Sequence, residues 1–375
     1  MSENDDVEVS SATVTHIWRK TPGLKDVAAR AGVSLATVSG ILNGSKSNTK
    51  VSDTTRQRVL CAASELQYRP NAVARALVGR MTRTIGVLFG VPAVTVDNVI
   101  VFTLLRGIAG GASAFGYNIM LFTDPWIDKD HSLTLACDGR TDGLAALSVP
   151  DASDLIPSLS EAGVPLVAIS SSAGRYGIPS VDVDNVAGAR LATEHLLSLG
   201  HRRIAHIVGD SDIDYARIRK DTFCSTMAAA GHSVPTEYVT GRLTSFKETY
   251  DQARRLLALD HPPTAIFAAT DDMAYIVLSA AADAGIRVPQ DLSVIGFDDV
   301  SVPMTFTPAL TTIRQPMVKI GEVAAQTLIR LIKGETLSTK PMLFAPELVV
   351  RNTTAGTIAS LLSRRSEQEG DKISR

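Results

Sequence analysis

From Thr84 onward, short apolar runs rich in β-branched residues alternate with longer stretches that have helical periodicity. The apolar runs are TIGVLFG, YNIMLFT, GLAALSV, VPLVAIS, RIAHIVG, TAIFAAT and LSVIGF. The helical stretches between them include residues 103–115, 187–199, 249–259 and 272–284. Alternation of this kind predicts parallel sheets covered by helices on both faces. About eight to ten strands over this length indicate two such sheets rather than one.

The two predicted sheets form two lobes that the chain enters more than once. The pattern breaks at residues 181–185 and returns late through residues 310–316, which suits two similar lobes joined by several crossings. Ligands of open parallel sheets bind beyond the carboxyl ends of the strands. We therefore expect a ligand in a cleft between the lobes.

A different pattern, LKDVAARAGVSLATVSGIL, occupies residues 24–42. Gly32 falls where a tight turn needs a positive φ, and Ser34 can cap the following helix. Val38, Ile41 and Leu42 recur on one face of that helix. Asn43 and Gly44 tolerate the left-handed geometry that ends it. The spacing predicts a DNA-binding helix-turn-helix, although a small helical hairpin without that role has a similar pattern.

The distribution of charge distinguishes a DNA-binding helix-turn-helix from a helical hairpin without that role. Residues 18–83 contain 12 Lys and Arg against 3 Asp and Glu, a net charge of +9, whereas the rest of the chain has 25 against 36, a net of −11. A basic segment that coincides with the turn pattern is typical of a nucleic-acid-binding module, and a merely solvated basic face would not explain the coincidence.

Two further elements follow the turn pattern. VSDTTRQRVLCAASELQYRPN predicts a third helix, capped by Ser52 or Asp53 and stopped by Pro70. PNAVARALVGR is a short amphipathic segment, and a helix of this length needs a partner molecule to become ordered. We interpret it as a hinge.

Other features exclude several protein classes. The N-terminus is acidic and lacks an apolar run, so no secretion signal is expected, and no stretch reaches membrane-spanning length. Cys61, Cys137 and Cys224 are odd in number and widely spaced, which suits reduced thiols in the cytoplasm. Residues 1–17 and the tail after about Ser363 have the composition of disordered segments.

Several long motifs resemble the LacI family of bacterial transcription regulators. They are DVAARAGVSLATVSGILNG, VSDTTRQRV, YRPNAVARAL, LLSLGHRRIAHIVG, RVPQDLSVIGFDD and PALTTIRQP. The resemblance runs from Leu24 to Thr353. It implies a cytoplasmic, nucleoid-associated homodimer that binds near-palindromic operator DNA, with a periplasmic-binding-protein-like core that senses a small effector, most commonly a sugar or another metabolite.

The fold expected on this basis has two parts. They are an all-α helix-turn-helix headpiece with a hinge helix, and an α/β core of two doubly wound parallel-sheet lobes. The expected boundaries are a tail at 1–17, the DNA-binding domain at 18–69, the hinge at 70–83, the core at 84–355 and a C-terminal tail at 356–375. The first lobe is expected at 84–183 plus 316–340, and the second at 184–315 plus 341–355.

The DNA-contacting residues are predicted from their chemistry and from the resemblance. Ser34, Thr37 and Ser39 offer hydroxyl and backbone N–H groups to phosphates. Leu35, Ala36 and Gly40 fall where the family presents base-reading side chains; the first two can touch thymine methyl groups but offer no bidentate hydrogen bond. Gly40 departs from the Arg or His common in the family, which puts ordinary major-groove readout in doubt.

The resemblance also places hinge residues at the DNA. Leu77 matches a leucine that wedges into the minor groove, where an inserted apolar side chain unstacks a base step and bends the duplex. Arg75 matches a residue near the groove floor, and Asn71 is assigned to the same interface. The alternative for Leu77 is a purely structural leucine of the hinge.

For the effector, the resemblance points to Arg219 and Asp298. A guanidinium fork and a carboxylate on opposite lobes can grip vicinal hydroxyl groups. Asp298 could instead cap a helix. Thr270 and Ser170 stand where relatives carry an amide and an acidic sugar contact, which leaves the ligand class open. Phe246 is expected to stack on the ligand, or else belongs to the core.

Two competing classes are disfavoured. An enzyme would need a recognisable motif, yet GxxxxGK[ST], GxGxxG and HExxH are absent, and His201 and His206 lack metal-ligand spacing. The paired carboxylates at Asp271 and at Asp298 are explained by helix capping. A secreted solute-binding protein would need a signal peptide and no basic head. We therefore expect no catalytic residue, no metal and no cofactor.

Overall fold

The structure is a computed structural model that describes residues 22–43, 51–71, 76, 81–90, 99–123, 126, 129–171, 173–243, 245–299 and 307–357. The chain divides into two compact units, residues 1–82 and 83–375, and each is described by itself. None of the helices in these ranges has the length and apolarity needed to span a bilayer.

In its described residues the first unit contains a head of three packed helices. Its described helices are α1 (Leu24–Ala31), α2 (Leu35–Asn43) and α3 (Asp53–Glu65). Val27, Val38 and Val59, one from each helix, are fully buried and form the centre of a small core. The three helices therefore hold together by packing one apolar face each, since helices of this length are marginal alone.

The third helix begins as predicted but ends earlier. Ser52, not Asp53, caps α3, with its Oγ accepting from the Thr55 N–H at 3.3 Å. The helix ends at Glu65, five residues before Pro70, because Gln67 adopts a φ of 50° that an α-helix cannot continue through. Proline is therefore not what stops it.

The second unit contains two sheets in two lobes. The strands are β1 (Thr84–Phe89), β2 (Asn118–Leu121), β3 (Gly143–Leu147), β4 (Leu166–Ile169), β5 (Ser180–Val183), β6 (Ile204–Ile207), β7 (Ala265–Ala268), β8 (Ser293–Asp298), β9 (Thr311–Arg314), β10 (Met342–Phe344) and β11 (Glu347–Val349). The first sheet has the order β10-β5-β4-β3-β1-β2, and all its pairings are parallel. The second has the order β11-β9-β8-β7-β6, in which only β11 is antiparallel. The predicted fold class is confirmed.

The helices of this unit lie between successive strands. They are α4 (Val99–Ser113), α5 (Lys129–Ala136), α6 (Leu155–Glu161), α7 (Asn185–Ser198), α8 (Asp214–Ala229), α9 (Phe246–Leu257), α10 (Asp271–Asp283) and α11 (Met317–Ile332). The central strands are buried along their whole length, as expected for strands covered on both faces.

The chain crosses between the lobes three times, after β5, after β9 and between β10 and β11. The first lobe was expected to end at residue 340, but β10 pairs with β5 and extends it to Phe344. Met342 and Phe344 pack against the core on this edge, which is why the strand stays with the first lobe.

Helices α4 and α11 approach closely through glycine. A Cβ on Gly107 would overlap the backbone carbonyl of Val318, whereas one on Gly110, in the same helix, would meet nothing within 4 Å. We expect Gly107→Ala to lower the free energy of unfolding of the core by about 1–3 kcal/mol through overpacking. Gly110→Ala is expected to raise it by about 0.4–1 kcal/mol, because alanine restricts the unfolded chain. Urea unfolding of both variants tests this, and equal effects would contradict the close approach.

Candidate DNA-binding and effector-binding sites

The turn of the head has the geometry that the sequence predicts. Gly32 has a φ of 66°, and the Val33 N–H donates to the Ala28 carbonyl at 3.2 Å. Ser34 caps α2, since its Oγ accepts from the Thr37 N–H at 3.2 Å and lies 2.8 Å from Thr37 Oγ1. Two of the predicted phosphate-binding hydroxyls are therefore hydrogen-bonded to each other in the DNA-free head.

The outer face of α2 is accessible. Leu35 is 43% exposed and Ala36 is exposed, whereas Val38 is fully buried. Thr37, Ser39 and Gly40 are half-buried, and Asn71 is exposed. The helix thus presents an apolar, side-chain-poor N-terminal turn. Arg75 and Leu77 lie outside the described residues, so their predicted roles stay predictions.

The head carries several exposed cations. Lys25, Arg56, Arg58 and Arg69 are exposed, and Arg30 is held by Glu65 at 2.6 Å. Such a distribution can supply the sequence-independent phosphate attraction on which DNA binding depends.

A cavity of about 150 Å³ lies between the two lobes of the core, at the carboxyl ends of the strands. The first lobe contributes Phe89, Ser148, Ser170 and Asp182, which lie at or just after the ends of β1, β3, β4 and β5. The second lobe contributes residues that lie at or after the ends of its strands and at the start of α8. These are Ile213, Tyr215, Arg219, Thr270, Asp272, Asp298 and Gln315.

Arg219 is almost completely buried in the wall of this cavity, at 2% exposure. Its Nε donates to Asn185 Oδ1 at 2.9 Å, and its Nη1 donates to the Ala269 carbonyl at 2.5 Å. The guanidinium lies 3.5 Å from the ring centroid of Phe297 and 4.8 Å from that of Tyr215. These contacts hold its plane rigidly, and Nη2 has no hydrogen-bond partner among the described residues.

Asp298 is 7% exposed and closes the end of β8. Its Oδ1 accepts from Gln315 Nε2 at 2.6 Å. Burial, together with the nearby Asp271 carboxylate, raises the pKa of Asp298 well above its ordinary value, against the opposite influence of Arg219 and Gln315. Its φ of 138° is unusual for any residue with a Cβ, and such strain is found mainly where a site requires it.

The predicted clamp is wrong in one respect. Arg219 on α8 and Asp298 on β8 both belong to the second lobe, not to opposite lobes. The carboxylate that faces them from the first lobe is Asp182. Its position follows from β5, a strand that the sequence pattern showed only as a break.

Asp182 is held by three donors. Its Oδ1 accepts from the Val183 N–H at 2.7 Å and from Ser170 Oγ at 3.3 Å, and its Oδ2 accepts from Asn185 Nδ2 at 3.1 Å. Burial raises the pKa of Asp182 to about 6, although these hydrogen bonds and Arg219 act in the opposite direction. The carboxylate therefore titrates near neutral pH.

The remaining predicted effector residues divide into two groups. Ser170 and Thr270 line the cavity, and Thr270 also caps α10 by accepting from the Met273 N–H at 3.3 Å. Phe246 does not line it; this side chain is 70% exposed at the start of α9. It belongs to neither the cavity nor the core, because its helix begins on the surface.

The structure also revises the prediction that helix capping explains the paired carboxylates at Asp271 and at Asp298. Thr270, not Asp271, caps α10, and Asp271 accepts from Thr312 Oγ1 at 2.5 Å. Asp299 is held by Arg314 and Arg351 at 2.7 and 2.5 Å. Asp271 and Asp299 thus hold the second-lobe wall through hydrogen bonds and ion pairs.

Sequence reasoning missed Asp182, Ser148, Tyr215 and Gln315 as cavity residues. Asp182, Ser148 and Gln315 lie at or just after a strand end, a rule that could have selected them once the strands were placed. Tyr215 lies at the start of α8, four residues before Arg219, and carried no separate signal.

An ion pair joins the two lobes outside the cavity. Arg217 Nη2 of α8 lies 2.8 Å from Asp151 Oδ2, which follows β3 in the first lobe. Arg217 also pairs with Asp214. Both side chains are more than one-third exposed, so the pair contributes only about 0–1 kcal/mol to stability. It adds a contact between the two lobes.

The two histidines singled out by sequence serve the core. His201 hydrogen-bonds with Thr264 and Ser293 at 2.9 and 3.0 Å. His206 is stacked on Phe267, with ring centroids 4.6 Å apart, and burial lowers its pKa to about 4. Within the described ranges, no group of His, Cys, Asp and Glu could hold a metal ion.

Comparisons with known proteins agree with both halves of this arrangement. Residues 23–71 match the family described as bacterial regulatory proteins, lacI family, and residues 193–354 match the periplasmic binding protein-like domain. Catabolite control protein A of Priestia megaterium is 34% identical over 333 residues, covering 88% of this chain and 98% of that protein. The ribose operon repressor of Escherichia coli (strain K12) is 34% identical over 334 residues, covering 88% and 99%.

A solved structure gives the same result for the fold. The lac repressor dimer bound to operator and the anti-inducer ONPF matches with a TM-score of 0.79 and 28% identity, covering 90% of this chain and 100% of that one. The head and the cavity-containing core define a DNA-binding transcriptional regulator with a small-molecule-binding domain, not an enzyme. The chain belongs to the lacI family of bacterial regulatory proteins.

Proposed function

We propose that this protein is a dimeric transcriptional repressor that acts in the cytoplasm, binds a near-palindromic operator through its head and is controlled by a small effector in the core cavity. The observation that carries the proposal is the combination of a capped, outward-facing α2 with a polar cavity at the strand ends of the same chain. A regulator needs both features, because it must couple DNA affinity to a metabolite concentration.

In this proposal α2 lies in the major groove. Ser34, Thr37 and Ser39 contact phosphates, and Leu35 and Ala36 contact base edges through apolar atoms. Gly40 leaves a gap where a longer side chain would read a base. Asn71, Arg75 and Leu77 contribute from the hinge. The apolar surface of Leu35 and Ala36 suits thymine methyl groups more than any hydrogen-bonding base edge.

The volume of the cavity suits an effector of about one ring. A cavity of about 150 Å³ is the size that holds a benzene-sized molecule in an engineered protein. Arg219 and Gln315 supply donors, whereas Asp182 and Asp298 accept hydrogen bonds from the ligand. Ser170 and Thr270 can do both. A monosaccharide or another polar ring compound meets these requirements.

Selection of bound sequences from random DNA by the full-length protein tests the DNA-binding half. We expect an enriched near-palindrome. Ala36→Glu should weaken binding to it by more than about tenfold, because a new carboxylate faces the phosphates. The same change near the start of α2 is favourable to the helix dipole, so the head should remain folded. Ser64→Glu, on the exposed face of α3, is the matched control. Recovery of no motif, or equal losses in both variants, would contradict the proposal.

A further inference from the structure

The charges in the wall of the cavity do not balance. Among the described residues that line it, three are aspartates (Asp182, Asp272 and Asp298), and Arg219 is the only Lys or Arg. With all four ionised the wall has a net charge of −2, and with Asp298 protonated, the form that its raised pKa favours, the net charge is −1. Electrostatic interactions are strong where water is excluded, so this excess favours a positively charged ligand over a neutral one and opposes an anionic one.

The positive charge of Arg219 offsets the charge of Asp298 more than that of the other carboxylates. Of the carboxylates around this guanidinium, Asp298 interacts with it most strongly and Asp182 more weakly. Asp298 uses Oδ1 for Gln315, and its Oδ2 has no hydrogen-bond partner among the described residues although the side chain is only 7% exposed. Asp298 and Arg219 both line the cavity, so Oδ2 of the one and Nη2 of the other are available as acceptor and donor for a hydroxyl-bearing ligand.

Asp182 retains its charge on the opposite wall. The Val183 N–H, Ser170 Oγ and Asn185 Nδ2 all donate to it, and this set of donors orients both oxygens as acceptors and favours the ionised form. Among the charged groups of the second lobe, Arg219 and Asp214 of α8 act on its pKa in opposite senses, and the carboxylates of Asp272 and Asp298 line the same cavity. The rings of Phe89 and Tyr215 line the same space, and aromatic faces attract cations.

We infer that the effector is a small ring compound or polyol that carries a protonated amine beside its hydroxyl groups, such as an aminated monosaccharide, with the ammonium group placed against Asp182. The inference rests on the proposed function, because it concerns the same cavity. Hydroxyl groups of the ligand meet Asp298 and Arg219, and its ammonium group neutralises part of the acidic excess.

The affinity for an amine-bearing ligand is expected to depend on pH more strongly than the affinity for a neutral one. Burial raises the pKa of Asp182 to about 6, so the carboxyl group is increasingly protonated as the pH falls through 6. An ammonium ligand requires the ionised form and displaces that proton. Its affinity is therefore expected to be full at pH 7.5 and to fall by about tenfold at pH 5, whereas a neutral ligand should change less.

The test is calorimetry and thermal unfolding of the full-length protein with matched sets of probes. The sets are D-glucosamine, D-glucose and D-glucuronate; D-galactosamine, D-galactose and D-galacturonate; and, as small polyols, tris(hydroxymethyl)aminomethane and pentaerythritol. In at least one set the amine is expected to raise the unfolding temperature and to bind about tenfold or more tightly than its neutral counterpart, since charge-assisted hydrogen bonds are the stronger ones. The acids are expected to give no stabilisation.

A substitution at Asp182 tests whether this carboxylate causes the preference for the amine. Asp182→Asn keeps an acceptor for the Val183 N–H and removes the charge; we expect about tenfold weaker binding of the amine and a smaller loss for the neutral member, which loses one acceptor but no charge interaction. Asp130→Asn, an exposed position in the first turn of α5, is the control with the same loss of charge. A neutral or acidic member that binds as tightly as the amine overturns the inference, as does an unchanged preference in Asp182→Asn or a core that binds no probe.

These outcomes separate the inference from the proposed function. Operator binding is measured on the same preparations. If a neutral probe alters operator affinity, the proposed regulatory function is supported and the inference of an amine-bearing effector is wrong. If no DNA motif is bound, the proposed repressor function is wrong, and calorimetry still decides whether the cavity prefers a positively charged ligand.

Discussion

Arg219→Met is expected to reduce effector affinity by about 2–5 kcal/mol, because removing one partner leaves the other buried groups of the site unpaired. Arg219 is 2% exposed and fixed by Asn185 and the Ala269 carbonyl, so no neighbouring cation can take its place. The compound used is the strongest stabiliser found in a thermal-shift screen of sugars and metabolites. Calorimetry measures its affinity for each variant.

The matched control for this prediction is Arg217→Ala. Arg217 is on the same helix and is 47% exposed in its side chain, where it joins the lobes through Asp151. Its loss is expected to weaken binding only slightly, since an exposed ion pair contributes about 0–1 kcal/mol. Operator affinity without effector should be nearly unchanged in both variants. Wild-type effector affinity in Arg219→Met would remove this residue from the site.

The head was predictable because its signals are local. Gly32 at a left-handed φ and Ser34 as a cap are each fixed by neighbours within a few residues, so sequence alone identifies them. The long apolar strands were predictable for a similar reason, since burial on both faces leaves a continuous apolar run.

The two lobes were harder to assign because the chain crosses between them three times. The expected boundaries already placed residues 219 and 298 together in the second lobe, at 184–315, so the clamp across opposite lobes conflicted with them, and the structure agrees with the boundaries. Short strands such as β5 and β10 exist only through their pairing with neighbours. Asp182 was missed with β5, since nothing in VDVDN distinguishes it from a helix cap before the strand is placed.

The same limit applies to Phe246. An aromatic residue near the start of a helix could stack on a ligand, fill the core or face solvent, and only the tertiary placement of α9 decides between them. In contrast, Ser170 and Thr270 follow apolar strands directly, and the rule for parallel sheets brings both to the cavity.

Leu77→Ala is expected to weaken binding to operator DNA by about 2–4 kcal/mol and binding to random DNA only slightly. The reason lies in α2, where Leu35 and Ala36 offer no bidentate hydrogen bond and Gly40 has no side chain. Specificity must then depend more on the hinge and on the ease with which the central base step of the operator is deformed. Leu77 lies outside the described residues, and its role as a wedge is proposed from the sequence motif.

The measurement is the affinity of Leu77→Ala for operator and for random-sequence DNA at one fixed salt concentration, because both affinities depend on salt. Gly40→Arg is measured beside it. The arginine of Gly40→Arg should donate hydrogen bonds to base edges and change the sequence selected in the half-sites. Leu77→Ala should instead weaken the preference for particular bases at the centre of the operator. Random DNA is held mainly by phosphate contacts, which neither change removes. If Leu77→Ala weakens both DNAs equally, the leucine supports the hinge without entering the groove, and the specificity of this head must come from α2 alone.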